Sequence, residues 1–147
     1  MSRTRAVSTT LGYVLTLAIA ALLVTGLIAA GGDYVETERD KVVRDELTVI
    51  GQQLAADVER ADRLVRAAET SGAVTVRLNQ TFTDTVTGTT YRISLDPSGP
   101  SVVVDSLKPD ITVTTPVRTE TPLRDTTVGG GPVQVVYDGG RLEVRNV

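Results

Sequence analysis

The hydrophobic pattern divides the chain into three parts. The stretch Val7–Gly32 holds no charged residue and is apolar almost throughout. From Val43 to Ala68 apolar residues recur every three or four positions, which places them on one face of a helix. From Ala73 onward apolar and polar residues alternate, with the period of two that is typical of strands. The sequence therefore predicts an α+β protein, with an apolar helix, an amphipathic helix and a β-rich remainder (residues 73–147) in that order.

The apolar stretch has the length of a membrane-spanning helix. The twenty residues Leu11–Ala30 would reach about 30 Å as a helix, which is the thickness of the hydrocarbon core of a bilayer. Arg3 and Arg5 precede this stretch, and all 18 acidic residues follow it. Because positive residues flanking a span tend to stay in the cytoplasm, the charge pattern sends the C-terminal part outward. We expect a single-pass protein of the cell membrane, with the lipid bilayer as its first partner.

The second predicted helix covers residues 33–72. Asp33 and Glu36 have the spacing of an N-cap and its capping-box partner, directly after Gly31-Gly32. The helix is therefore expected either to restart at this point or to bend without breaking. Gly72 is a typical C-terminal stop.

The apolar face of this second helix has two candidate uses. It could form the seam of a coiled coil over about four heptads, or it could cover the chain's own sheet. We favour the second use, because the strands that follow need a cover and no other helix is available. The predicted face consists of Val43, Leu47, Ile50, Leu54, Val58, Ala61, Val65 and Ala68.

The β-rich part is predicted to form one antiparallel sheet of five or six strands packed on the amphipathic helix. Asp138-Gly139-Gly140 is a tight-turn signal that joins the last two strands into a hairpin. Thr115–Pro132 is expected to be an exposed loop, with a short strand around Val117–Thr119. The predicted strands are Ala73–Leu78, Val86–Leu95, Ser101–Leu107, Ile111–Thr114, Val133–Tyr137 and Leu142–Val147.

The amino-acid composition excludes several kinds of catalytic and metal site and disfavours one class of partner. The chain has neither cysteine nor histidine, which excludes disulfides, thiolate nucleophiles, the usual zinc sites and histidine bases. Beyond Gly32 there are 13 basic and 18 acidic residues, a balance that disfavours nucleic acid as a partner. The carboxylates near the turns lack the spacing of a Ca²⁺ loop, and a solvated acidic surface is the favoured interpretation. We expect no enzymatic activity and no cofactor.

One modification motif lies in the segment that is expected to face outward. Asn79-Gln80-Thr81 matches the acceptor sequence for N-linked glycosylation. Asn79 is therefore a candidate glycosylation site.

The residues at the start of the apolar stretch carry a family resemblance. The order is a basic residue, a small residue and then the helix, in Arg5-Ala6-Val7-Ser8-Thr9-Thr10-Leu11-Gly12. This stretch resembles the N-terminus of archaeal type IV pilin-like proteins, including archaellins, and most closely that of haloarchaeal pilins. Thr9 stands where many of those pilins have proline, and Leu11 stands where bacterial type IV pilins carry glutamate. The acidic composition, rich in arginine rather than lysine, is typical of halophilic archaea.

The resemblance implies processing, a fold and an assembly. A prepilin peptidase would cut between Ala6 and Val7, so that residues 1–6 form the leader of a class III signal peptide. The mature chain would then be a long N-terminal helix with a β-rich head outside the cell. Such subunits join others of their kind through the helix, in a filament at the cell surface.

Three interpretations of the apolar stretch follow. The first is a structural pilin-like or pseudopilin-like subunit, and the alternative is an uncleaved single-pass protein with an extracellular binding domain. An ordinary secretory signal peptide is disfavoured, because its apolar core spans only about 7–15 residues. In addition, the best cleavage candidate, Ile28-Ala29-Ala30, has a bulky residue where a small one is required.

Overall fold

A computed structural model describes residues 2–68, 72 and 74–147, with side chains from Thr10 onward. The chain divides into two compact units, residues 1–39 and residues 40–147. One long helix, α1, is followed in the described part by eight strands. The elements are α1 (Ser2–Ala68), β1 (Arg77–Thr81), β2 (Thr85–Val86), β3 (Thr89–Asp96), β4 (Ser101–Leu107), β5 (Asp110–Pro116), β6 (Thr126–Gly129), β7 (Pro132–Asp138) and β8 (Arg141–Asn146).

The first unit is helical through the predicted junction. α1 continues through Gly31-Gly32 without a break, so of the two expected alternatives the restart does not occur at this point. Asp33 lies inside the helix, where its backbone carbonyl accepts a hydrogen bond from the Thr37 hydroxyl. A glycine in a helix costs only about 1 kcal/mol relative to alanine, which is too little to end a long helix.

The part of α1 in the second unit covers the sheets with its apolar face. Seven of the eight residues predicted for this face are buried in the same core as the inward side chains of the strands, and Ala68 is half-buried. A methyl group built on Gly51 would stand 2.8 Å from the Thr115 hydroxyl of β5, so the helix and the sheet touch closely at this point. The choice of the chain's own sheet over a coiled coil is confirmed. The seven buried residues are Val43, Leu47, Ile50, Leu54, Val58, Ala61 and Val65.

The strands form two antiparallel sheets rather than one. The first sheet has the order β1-β7-β8, and the second has the order β2-β3-β4-β5. Strand β6 pairs with the same side of β3 as β2 does, further along that strand. The two sheets are tied where the Asn146 side chain of β8 bonds the backbone of Gly129 in β6. The α+β architecture with the helix packed on sheet is confirmed.

Three strand predictions need correction. The predicted strand Val86–Leu95 is a hairpin, β2 and β3, that turns at Thr87-Gly88, where both residues have a positive φ. Asn79-Gln80, expected between strands, lies within β1. The predicted strand Ala73–Leu78 begins only at Arg77, and Ala73 itself is outside the described residues.

The segment 115–132 also differs from its prediction as an exposed loop. It contains β6, and the expected strand at Val117–Thr119 is absent from the described structure. Val117, Thr121 and Leu123 are buried, and the backbone of Leu123 pairs with that of Leu142. The segment therefore forms part of the core without forming a long strand.

The Asp62 carboxylate of α1 accepts the hydrogen bonds of a backbone segment, residues 119–121, that does not pair as a strand. Asp62 is only 2% exposed, and its Oδ1 accepts hydrogen bonds from the backbone N–H groups of Thr121 (2.8 Å) and Glu120 (3.2 Å). The Thr119 hydroxyl donates to the same oxygen at 3.0 Å, and Arg66 lies 3.1 Å from Oδ2. Burial by itself raises the pKa of Asp62, but these hydrogen bonds and the Arg66 charge hold it below its ordinary value.

Candidate functional site

The candidate site is the apolar surface of the first unit. Between Leu11 and Ile28 the large apolar side chains are 50–73% exposed, and no part of the most apolar 18-residue window is buried. That window has a mean hydropathy of 2.4, and by length and composition the helix can cross a membrane. A contiguous apolar surface of this extent marks a membrane or protein interaction site. The exposed residues are Leu11, Tyr13, Val14, Leu15, Leu17, Ile19, Leu22, Leu23, Val24, Leu27 and Ile28.

The polar side chains within this surface are satisfied by the helix itself. The Thr16 hydroxyl donates to the carbonyl of Gly12 at 2.9 Å, and the Thr25 hydroxyl donates to the carbonyl of Ala21 at the same distance. An unpaired hydroxyl in hydrocarbon would cost several kcal/mol. These local bonds therefore make both threonines compatible with a lipid environment.

Two exposed tyrosines stand near the ends of the uncharged stretch. Tyr13 and Tyr34 are separated by 21 residues, which corresponds to about 32 Å along a helix. Tyrosine is enriched at both membrane–water interfaces, where its ring is apolar and its hydroxyl meets water. Neither tyrosine is among the functional residues predicted above, although their spacing is visible in the sequence. They match the positions of two interfacial anchors.

The predicted processing residues lie at the start of α1. The backbone of Arg5, Ala6 and Val7 is helical, while their side chains lie outside the described residues. Cleavage between Ala6 and Val7 therefore stays a prediction.

The candidate glycosylation residue lies on a strand. Asn79 is exposed on β1, which forms one edge of the three-stranded sheet. Its side-chain oxygen accepts a hydrogen bond from the amide of Gln134 on β7. Glycosylation of Asn79 stays a prediction.

The described residues do not assemble a metal centre. Within 2–68, 72 and 74–147, no three acidic side chains stand close enough together to hold an ion. The most buried carboxylates, Asp62 and Glu143, are paired with arginines. Their geometry serves the packing of the β-rich unit.

Comparison with known proteins gives one match. Over residues 2–146 the chain matches the family described as "Family of unknown function (DUF7266)". The chain belongs to this DUF7266 family. No curated protein and no solved structure matches the chain.

The DUF7266 match includes both the apolar helix and the β-rich unit. It shows no pilin or archaellin family, although the long apolar N-terminal helix is compatible with a pilin-like protein. A single apolar N-terminal helix followed by an antiparallel β unit fits a single-pass, membrane-anchored protein.

Proposed function

We propose that this DUF7266 protein is a structural pilin-like subunit, held in the cell membrane by residues 7–32 with its β-rich unit outside the cell. In this proposal a prepilin peptidase cuts between Ala6 and Val7, and the mature helix then contacts other pilin-like subunits. The observation that carries the proposal is the uncharged apolar helix that follows Arg5-Ala6, whose large apolar side chains between Leu11 and Ile28 are exposed.

The physical logic lies in where the charge is removed. Cleavage after Ala6 would release Arg3 and Arg5 with the leader and would leave the apolar helix intact in the bilayer. Such a helix can move from lipid into a bundle of helices at small cost, because it exchanges one apolar environment for another. Gly12 and Gly26 have no neighbouring atom within 4 Å of a built methyl position, so a second helix can approach closely at both.

The processing step is tested by the N-terminus of the mature protein. The full chain is produced in cells that contain a prepilin peptidase, extracted from membranes, and examined by N-terminal sequencing and intact mass. We expect the chain to begin at Val7. Replacement of Arg5 or Ala6, as in Arg5→Gln, should leave the leader attached, whereas the matched variant Arg3→Gln should be processed normally.

A chain that begins at Met1 or Ser2 in these cells would contradict the processing step. If that intact chain is nevertheless found in the membrane, the protein is an uncleaved single-pass anchor with an extracellular binding domain. Recovery of the full chain as a soluble cytosolic protein would contradict both interpretations.

The orientation has a separate test. Because the chain has no cysteine, a Val147→Cys variant carries a single thiol, at an exposed position at the end of the β-rich unit. A membrane-impermeant maleimide should label this variant on intact cells. Labelling that requires lysis would place the β-rich unit in the cytoplasm and would overturn the proposed orientation.

A further inference from the structure

Residues 31–38 are the least supported part of the interior of α1. From Leu11 to Ile28 the helix is apolar almost throughout, and from Val43 onward its apolar face packs on the sheets. Every residue from 31 to 38 is exposed, and none of the described salt bridges involves one of them. Helices in proteins owe most of their stability to the packing of an apolar face. Residues 31–38 therefore depend on their own helix propensity.

The residue types of this segment favour a helix only weakly. Glycine is the poorest helix former after proline, and Gly31 and Gly32 are adjacent. Val35 and Thr37 lose side-chain freedom in a helix because their Cβ atoms are branched. The Thr37 hydroxyl also donates to the carbonyl of Asp33 at 2.9 Å, a kind of local bond that slightly destabilises a helix and often bends it. Helix opening is therefore easiest next to the two glycines.

A break at Gly31-Gly32 would leave both new helix ends with a cap. Either glycine can adopt the left-handed conformation that ends a helix and satisfies its last carbonyl groups. On the other side of the break, the N–H groups of residues 33–36 would lose their helical acceptors. Asp33 can accept bonds from these donors, and Glu36 has the capping-box spacing that returns a bond to the N–H of Asp33. The sequence thus stabilises a broken state in addition to weakening the continuous helix.

We propose that Gly31-Gly32 is a hinge, at which α1 exchanges between the continuous helix of the structure and a broken state capped by Asp33. The opening is local, because the N–H groups from residue 37 onward keep their helical acceptors. The hinge lets the β-rich unit change its orientation relative to the membrane. The inference rests on the proposed function in one respect, since it takes the apolar stretch before the hinge to lie in lipid.

Hydrogen–deuterium exchange tests the hinge in the full-length protein, purified from cells that contain a prepilin peptidase and placed in lipid nanodiscs. After correction for intrinsic rates, the amides of residues 31–36 should exchange at least about tenfold faster than those of residues 20–28 and 44–60. Gly31→Ala/Gly32→Ala should slow their exchange at least about tenfold, because alanine favours the continuous helix at both positions. Equal protection of all three segments in the natural chain would overturn the hinge.

Substitution of Asp33 separates a capped break from simple fraying. Asp33→Ala removes the cap and should slow the exchange of residues 31–36 about fivefold. Asp33→Asn keeps a capping side chain without the charge, and its exchange should stay within about twofold of the natural rate. Asp45→Ala, which removes an exposed aspartate from the part of α1 that the sheets cover, should leave the rate unchanged. Equal rates for Asp33→Ala and Asp33→Asn would contradict the capped state.

The orientational freedom has its own measurement. Because the chain has no cysteine, spin labels on Leu22→Cys and Thr112→Cys, both at exposed positions, report one distance between the apolar helix and the β-rich unit. Double electron–electron resonance should give a distance distribution at least about twice as broad with the natural glycines as with Gly31→Ala/Gly32→Ala. Equal widths would show that the hinge does not govern the orientation and would overturn this part of the inference.

Exchange within the apolar stretch separates failure of the hinge from failure of the proposed function. Slow exchange at residues 12–28 together with slow exchange at residues 31–36 would overturn the hinge and leave the membrane-spanning helix supported. Fast exchange at residues 12–28 would contradict the presence of lipid around this stretch, and the proposed function would fail with it.

Discussion

Removal of the Asp62 carboxylate should destabilise the β-rich unit strongly. In the Asp62→Ala variant, the backbone N–H groups of Thr121 and Glu120 lose their acceptor, and the Thr119 hydroxyl loses one of its two partners. Arg66 keeps a second carboxylate, Glu120, at 2.9 Å. The loss therefore falls mainly on the backbone of the segment that Asp62 holds against the helix.

The size of the stability loss in Asp62→Ala depends on whether water can replace the carboxylate as acceptor for each backbone N–H group. The Thr121 N–H belongs to a buried residue, and a hydrogen bond to a charged acceptor contributes about 1.5–3 kcal/mol. The Glu120 N–H belongs to an exposed residue and should recover most of its loss through water. We expect Asp62→Ala to lower the free energy of unfolding by about 2–4 kcal/mol. Asp62→Asn keeps one acceptor oxygen and should cost about half as much.

The pH dependence of the stabilisation by Asp62 is a second, independent test. The pKa of Asp62 is lowered in the folded chain from its ordinary value of 3.8, so the charged carboxylate stabilises the fold above that value. This contribution is lost as the pH falls below about 4 toward the folded pKa, because the proton then binds the unfolded chain first. The difference between the natural chain and Asp62→Ala should therefore be full at pH 7 and shrink in acid.

The free energy of unfolding is measured by urea denaturation of the full-length protein in non-ionic detergent. Pulse proteolysis reports the unfolded fraction at each urea concentration. Asp45→Ala, which removes an exposed carboxylate from the same helix, is the control and should change stability by less than about 0.5 kcal/mol. An Asp62→Ala effect no larger than that of the control would refute the reasoning. So would an effect that stays constant from pH 7 to pH 3.

Two further substitutions test the backbone of the same unit. Thr87 has φ 47° at the first position of the two-residue turn Thr87-Gly88. Thr87→Asn should stabilise the unit by about 0.5–1 kcal/mol, since asparagine tolerates this conformation better than a β-branched residue. A loss of stability in urea unfolding would contradict this prediction. Gly51→Val should destabilise by about 1–3 kcal/mol because its side chain meets the Thr115 hydroxyl, and Thr115→Ala in the same chain should recover part of that loss. Absence of any recovery would place the strain elsewhere.

The buried face of α1 was predictable from the sequence because buried positions of this helix hold apolar residues and exposed positions hold polar ones. Val43, Leu47 and Leu54 are fully buried, and the polar residues between them are exposed or half-exposed. The same logic located β4 to the residue and β7 to within one residue of its ends. In each case one side of the element meets the core and the other meets water.

The burial of Glu143 is a case that the alternation of apolar and polar residues does not predict. Alternation in β8 assigns Glu143 to the face opposite Leu142, which predicts an exposed side chain. Glu143 is 3% exposed, because Arg124 reaches it at 2.8 Å and Arg145 also pairs with its carboxylate. The pattern of a strand tells which residues share a face, but it does not tell which other segment covers that face.

The continuity of α1 through Gly31-Gly32, where the sequence left open either a restart or an unbroken helix, has a physical explanation in the surroundings of α1. Between Leu11 and Ile28 the helix is apolar on all sides, which is stable only where all of its surroundings are apolar. From Val43 onward it is apolar on one side alone, because one side meets the sheet and the other meets water. The hydrophobic pattern therefore changes within one continuous helix, and a helix can cross such a change without ending, since its backbone hydrogen bonds are internal in apolar surroundings as well as in water.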